Sequence, residues 1–144
     1  MTNEITRKLC RELRNRGHLF VLPNFYIGDW ECDIFSITAR GYTNEYEIKI
    51  SKADFENDRY KINYKNELKL VNIITGKRVS KFWYVFPEGL KLDIPPYAGV
   101  ITYDGHFFRT VIEAPFMNKT KIDLSNKLLF DIANKCYNRY LQLK

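Results

Sequence analysis

Three cysteines, two histidines, five prolines and seven glycines are spread thinly over 144 residues, and each scarcity removes a class of protein. Cys10, Cys32 and Cys136 are odd in number, far apart and without CxxC spacing, which excludes a disulfide scaffold or a cysteine-rich zinc site and predicts three reduced thiols. His18 and His106 stand apart from the cysteines and from each other, so neither a zinc centre nor a histidine-centred nuclease motif is supported. The absence of a GxxxxGK[ST] loop argues against a nucleotide cofactor. No apolar run approaches the roughly 18 residues that span a bilayer. The first residues, MTNEITRKLC, carry charge where a signal peptide needs its apolar core. The expectation is a soluble, cytoplasmic protein without a membrane partner. Without repeats or low-complexity stretches, residues 1–144 read as a single domain.

What the chain does have is apolar mass and positive charge. A hydrophobic fraction of 45% is enough for a sizeable core. Lys and Arg outnumber Asp and Glu by 23 to 17, for a net charge of +6, which steers polyanions toward the surface. Charge alone does not separate a nucleic-acid binder from an ordinary basic domain.

Ile5, Leu9 and Leu13 recur at helical spacing between Asn3 and Arg16, and Gly17 supplies the stop. The aromatic and β-branched run from His18 to Ile27 is broken at Pro23 and predicts a short peripheral strand. WECDIFSIT (30–38) and EYEIKI (45–50) flank the turn-forming ARGYTN and predict an antiparallel hairpin. Ser51 and Asp54 form a capping-box pattern that opens a helix running toward Tyr60 or Tyr64. KNELKLVNIITG suits a helix end or a short strand equally. KFWYVF predicts a strand stopped by Pro87, and PEGLKLDIPPY a proline-rich loop. GVITY and HFFRTVIE make a second hairpin about Asp104 and Gly105, and Leu124, Leu128, Ile132 and Tyr140 predict a closing helix over 121–143. Trp30, Phe82, Trp83 and Phe107 are expected in the core. The interleaving argues for an α/β domain of the mixed α+β kind, with a central mixed sheet flanked by helices.

The segment DIFSITARGYTNEYEIK carries the chemistry. Side chains alternate along a strand, so Tyr46, Ile48 and Ile50 share one face while Glu45, Glu47 and Lys49 share the other, with Asp33 reachable across the hairpin. Two carboxylates can hold Mg²⁺ or Mn²⁺ through hard oxygens and leave room for water and a phosphate oxygen. The backbone carbonyl of Ile48 is a further candidate metal ligand. Lys49 can orient or deprotonate the attacking water and offset charge at phosphorus. Glu47 and Lys49 also fit an exposed ion pair on a sheet.

Asp33 with EIK at 47–49 resembles the PD-(D/E)xK motif, and EIKISKADFENDRYK resembles the MmcB-like DNA-repair proteins and related phage nuclease-like proteins. In that resemblance a strand ending in Glu-x-Lys runs into a helix carrying Ser51, Lys52, Asp54 and Phe55. It continues through FWYVFPEGL, IPPYAGVITYD and RTVIEAP, covering most of the chain after residue 30. The resemblance implies a restriction-endonuclease-like core, with Asp33 and Glu47 as metal ligands and Lys49 as the catalytic lysine. Cys32 stands where the superfamily usually has proline.

Asp54 and Asp58, four apart on the helix, are candidates to orient a water or Lys49, although Asp54 is also explained as a helix-start residue and Asp58 as the partner of a nearby lysine. Glu12 reads as a solvated charge. Lys52, Arg59 and Lys61 are candidate DNA contacts, interleaved with Tyr60 and Tyr64, and fit a solvated helix face equally. The leading reading is a metal-dependent DNA nuclease of repair, recombination or phage DNA processing. Its rival is a non-cleaving DNA-binding module of the same fold within a repair complex. A repair-complex protein partner and a homodimer both stay open.

Overall fold

The computed structural model describes residues 2–27, 30–60 and 79–122. Helix α1 (Thr2–Asn15) buries Ile5, Leu9 and Leu13 almost completely, as their spacing predicts. It ends where Arg16 and Gly17 donate their N–H groups to the Glu12 and Arg14 carbonyls, and Gly17 takes φ +95°. Glycine closes a helix this way because it lacks the Cβ that opposes left-handed backbone.

Six strands follow: β1 (His18–Ile27), β2 (Trp30–Thr38), β3 (Thr43–Ile48), β4 (Lys81–Pro87), β5 (Ala98–Tyr103) and β6 (Phe108–Ile112), with helix α2 (Lys52–Tyr60) between β3 and β4. They form one sheet in the order β1-β2-β3-β4-β5-β6. The pairs β1–β2, β2–β3 and β5–β6 are antiparallel, and β3–β4 and β4–β5 are parallel. The mixed α+β class expected from the sequence is therefore the class found.

β1 runs straight through Pro23 instead of breaking there. It is an edge strand, where a missing N–H can face outward without removing a ladder bond. The β2–β3 turn closes through Gly41, whose N–H reaches the Thr38 carbonyl at φ +90°. β3 begins at Thr43 rather than Glu45 and ends at Ile48, so Lys49 lies just past its end. The early start is fixed by Thr43 and Ser80, which exchange backbone and side-chain hydrogen bonds of 2.9–3.1 Å and tie the first residues of β3 to β4.

The two sheet faces differ. Under α1, Ile34, Tyr46, Ile48, Trp83, Val85 and Ile101 complete an apolar core. The other face carries Phe35, Ile37 and Val79 at one side and Phe82 and Ala98 at the other. Phe82 and Trp83 are buried as expected, whereas Phe107 is 75% exposed. Asp104 accepts the N–H groups of both His106 and Phe107 at 2.8 Å, a tight turn that projects Phe107 outward instead of into the core. The Trp30 side chain, KNELKLVNIITG and residues 123–143 of the expected closing helix lie outside the described residues.

A short polar chain runs beneath the end of α1. His18 Nδ1 lies 2.8 Å from the Ser36 hydroxyl, which donates to the Tyr46 hydroxyl at 3.5 Å. Burial, with a smaller contribution from nearby Arg16, pushes the His18 imidazole below its usual value of 6.5. The unfolded chain then binds a proton more readily than the folded one, so this contribution to stability is complete above about pH 6.5 and is lost as pH falls through the lower folded value. Urea denaturation between pH 7.5 and 5 should show falling stability, with a shallower fall in His18→Asn; an identical slope in the variant would remove His18 as the cause.

Candidate functional site

The β2–β3 ladder sets the site. Its last paired residues are Ile34 and Tyr46, so continuing the register places Asp33 opposite Glu47. Instead of another backbone pair, the Asp33 carboxylate accepts the Ile48 N–H at 2.7 Å. A charge-assisted bond of this length fixes the carboxylate at the level of the 47–48 peptide. On the far side of β3 the parallel ladder with β4 persists, and Lys49 N–H donates to the Val85 carbonyl at 2.9 Å. Residues 47–49 are thus held from both sides.

Glu47 stands opposite Tyr84, with Glu45 opposite Phe82 on the same face. Lys49 Nζ lies 3.3 Å from Glu47 Oε1, with side-chain exposures of 5% for the lysine and 15% for the glutamate. The alternative of an exposed surface pair is therefore excluded. A nearly dry ammonium is expensive unless anions and hydrogen bonds hold it, and the adjoining carboxylate meets that need. Ile48 sends its side chain into the opposite core under α1, so only its main chain can take part beside the acids.

Helix α2 walls the site. Ser51 caps it by accepting the Asp54 N–H at 3.0 Å, and Asp54 reaches back to the Ile50 N–H at 3.2 Å. The expected capping box has formed, with the return bond made one residue earlier than the standard pattern. Asp54 is thereby engaged with backbone rather than with Lys49 or Glu47. One residue on, Phe55 is buried and meets Tyr84 edge-on at 5.2 Å, which seats α2 over the Glu47 position. Lys52 is exposed, with a loose contact to Glu56 at 3.9 Å. The side chains of Asp58 and Arg59, and all of Lys61, lie outside the described residues. Glu12 pairs with Arg16 at 3.1 Å on the surface, as the solvated reading of it anticipated.

Glu45 was not singled out by sequence, yet its side chain is fully buried between its cross-strand neighbours Phe35 and Phe82. Its signal was parity: it shares a face with Glu47 and Lys49, and a third charge in that row marks the whole row as unusual.

Among the described residues no group of three or more His, Cys, Asp or Glu is gathered as a metal cage. Two carboxylates supplemented by main-chain oxygen and water are nonetheless a donor set that suits Mg²⁺, which is often bound through one or two carboxylates together with substrate phosphate. Asp33 and Glu47 meet that description. A cleft of about 460 Å³ containing His18, Tyr42, Lys81 and Trp83 and another of about 450 Å³ beside α1 include neither acid.

Breaking the buried pair should be costly. Glu47→Gln is expected to lower the unfolding free energy by about 3 kcal/mol, because it leaves the lysine charged without its neighbouring anion. Glu47→Gln with Lys49→Met should cost less than Glu47→Gln alone, as read by urea denaturation. A double variant as unstable as the sum of the two singles would show that the charges are not coupled.

No protein-family model matches the chain, and no curated protein matches it. Among solved structures it is similar to the SPO1766 protein of unknown function from Silicibacter pomeroyi, at 20% identity and a TM-score of 0.66, over 96% of this chain and 86% of that one. At that identity the likeness speaks to the fold.

Proposed function

We propose that the chain is a metal-dependent deoxyribonuclease with a PD-(D/E)xK, restriction-endonuclease-like core, hydrolysing phosphodiester bonds in DNA repair, recombination or phage DNA processing. The observation that carries this reading is the lysine ammonium held almost out of water 3.3 Å from Glu47, on the strand whose next peptide is tied to Asp33. A surface pair needs no such burial. A group that must offset charge on a phosphate gains from it, because electrostatic attraction strengthens as water is excluded.

In this reading Asp33 and Glu47 hold Mg²⁺ or Mn²⁺ with the Ile48 carbonyl, and the bound cation supplies Lewis acidity at a phosphate oxygen and at water. Lys49 orients the attacking water and offsets the negative charge that grows at phosphorus. The water oxygen bonds to phosphorus, the bond to the leaving oxygen breaks, and the proton released ends on the leaving alkoxide. Glu47 holds Lys49 in place, and Asp33 is itself held by the Ile48 N–H, so neither acid needs to reorganise when substrate arrives. Lys52 supplies a cation for the DNA backbone on the α2 side, and Arg59 and Lys61 are further candidate contacts by sequence.

The test is cleavage of labelled single-stranded, duplex and forked DNA with Mg²⁺ or Mn²⁺. Wild-type cutting should fall at least about 100-fold in both Lys49→Ala and Asp33→Ala, the loss typical of removing a positioned catalytic group. DNA binding with no cleavage of any substrate would reject the nuclease in favour of a non-cleaving DNA-binding module.

A further inference from the structure

Glu4 pairs with Lys8 at 2.9 Å and Glu12 with Arg16 at 3.1 Å, each at i,i+4, so both acids of the helix have a basic partner. Arg7, Arg11 and Arg14 fall within an arc of about 60°, given 3.6 residues per turn, with Glu4, already paired with Lys8, at its margin beside Arg11. All three are exposed, and none forms an ion pair with a carboxylate among the described residues. They line the cleft of about 450 Å³ between α1 and β1, together with Asn3, Thr6 and Asn24, and no acid is among its lining residues. Cys10, also in the cleft, is half-buried, and burial pushes its thiol up, so it is no nucleophile there.

The position of that cleft along the sheet is the second observation. Pro23 pairs with Ile34 and Phe25 with Cys32, so Asn24, which lies between them, sits at the level of Asp33 across the β1–β2 pair. β1 is the sheet edge. The arginine cleft and the acid row are therefore on opposite faces of the sheet but at the same height, with β1 alone between the cleft and Asp33 and with β1 and β2 between the cleft and Glu47. Asn24 takes φ +50°, a conformation asparagine tolerates better than most residues, where the cleft meets that strand.

We infer that Arg7, Arg11 and Arg14 form a backbone-binding site for single-stranded DNA, receiving the phosphates of a strand that passes from the acid row around the β1 edge. The inference rests on the DNA reading of Asp33, Glu47 and Lys49 and adds the route of the strand beyond them. Arginine suits this task because its planar fork bonds phosphate oxygens in pairs. The row spans about 10 Å along the helix at 1.5 Å per residue, the reach of three or so nucleotides. Asn3, Thr6 and Asn24 add neutral groups of the kind that bond phosphate and sugar without reading sequence.

The experiment measures fluorescence anisotropy of a labelled 20-nucleotide single strand in EDTA across a range of salt, so that no cleavage enters the result. Each phosphate contact contributes about 0.7 to the slope of log K against log salt for single strands. The triple variant Arg7→Gln/Arg11→Gln/Arg14→Gln should lose about 2 from the magnitude of that slope, and Arg11→Gln alone about 0.7, with unchanged melting temperatures. An unchanged slope in both variants overturns the inference, as does a wild type that shows no salt-dependent binding. So does binding to phosphatidylserine vesicles that the triple variant loses while keeping its DNA slope, which would assign the arginines to a lipid surface. Because the slope is read without metal, a protein that binds but never cuts defeats the nuclease reading and leaves this one standing; a protein that cuts with an unaltered slope does the reverse.

Discussion

The interaction on which the site depends is the pairing of Lys49 with Glu47 away from water. An ammonium and a carboxylate on adjacent same-face positions of a strand end gain little at a surface, where solvent and salt screen them. Nearly dry, they become both a liability and a tool. The liability is desolvation, which the surrounding structure must offset: the Lys49 backbone is fixed to Val85, α2 is capped just beyond by Ser51 and Asp54, and Phe55 is packed on Tyr84. The tool is a positive charge whose field is not diluted by water and whose position is set before any ligand arrives.

Asp33 belongs to the same arrangement through the backbone rather than through a side-chain pair. Its bond to the Ile48 N–H replaces the next rung of the β2–β3 ladder, at the point where the hairpin strands cease to pair. A carboxylate in place of a carbonyl satisfies the donor and leaves a charged group where an ordinary sheet would have a neutral one. Three chemically distinct requirements thus meet within two strands: strand termination, a place for negative charge and a fixed cation. The apolar face under α1 is what permits this, since Tyr46, Ile48, Val85 and Ile101 anchor the same strands from behind.

Much of this was legible because period-2 alternation is a strong signal wherever one face is apolar. Tyr46 and Ile48 on one side, with Glu47 and Lys49 on the other, could be read from EYEIK alone, and SKAD announced its own helix start. What alternation does not report is depth. The row that read equally well as a solvated ion pair is nearly dry, and alternation along β3 carries no record of that. The same blindness hid the burial of Glu45. Pro23 misled for a topological reason, as its effect depends on whether its strand lies at an edge, and Phe107 because an aromatic in a tight turn follows the turn rather than its own hydrophobicity. The arginine face of α1 was present in the sequence as spacing, but its relation to Asp33 appears only once the β1–β2 register aligns Asn24 with that acid.

The central claim is that Asp33 and Glu47 jointly hold a divalent cation beside Lys49, and it is tested most directly by titrating Mn²⁺ into the protein and following the free ion by electron paramagnetic resonance. The account predicts one site per chain that Mg²⁺ competes for, lost in both Asp33→Asn and Glu47→Gln and kept in Lys49→Met. Binding that survives in both acid variants, or a wild type that takes up no Mn²⁺ at millimolar concentration, would contradict it.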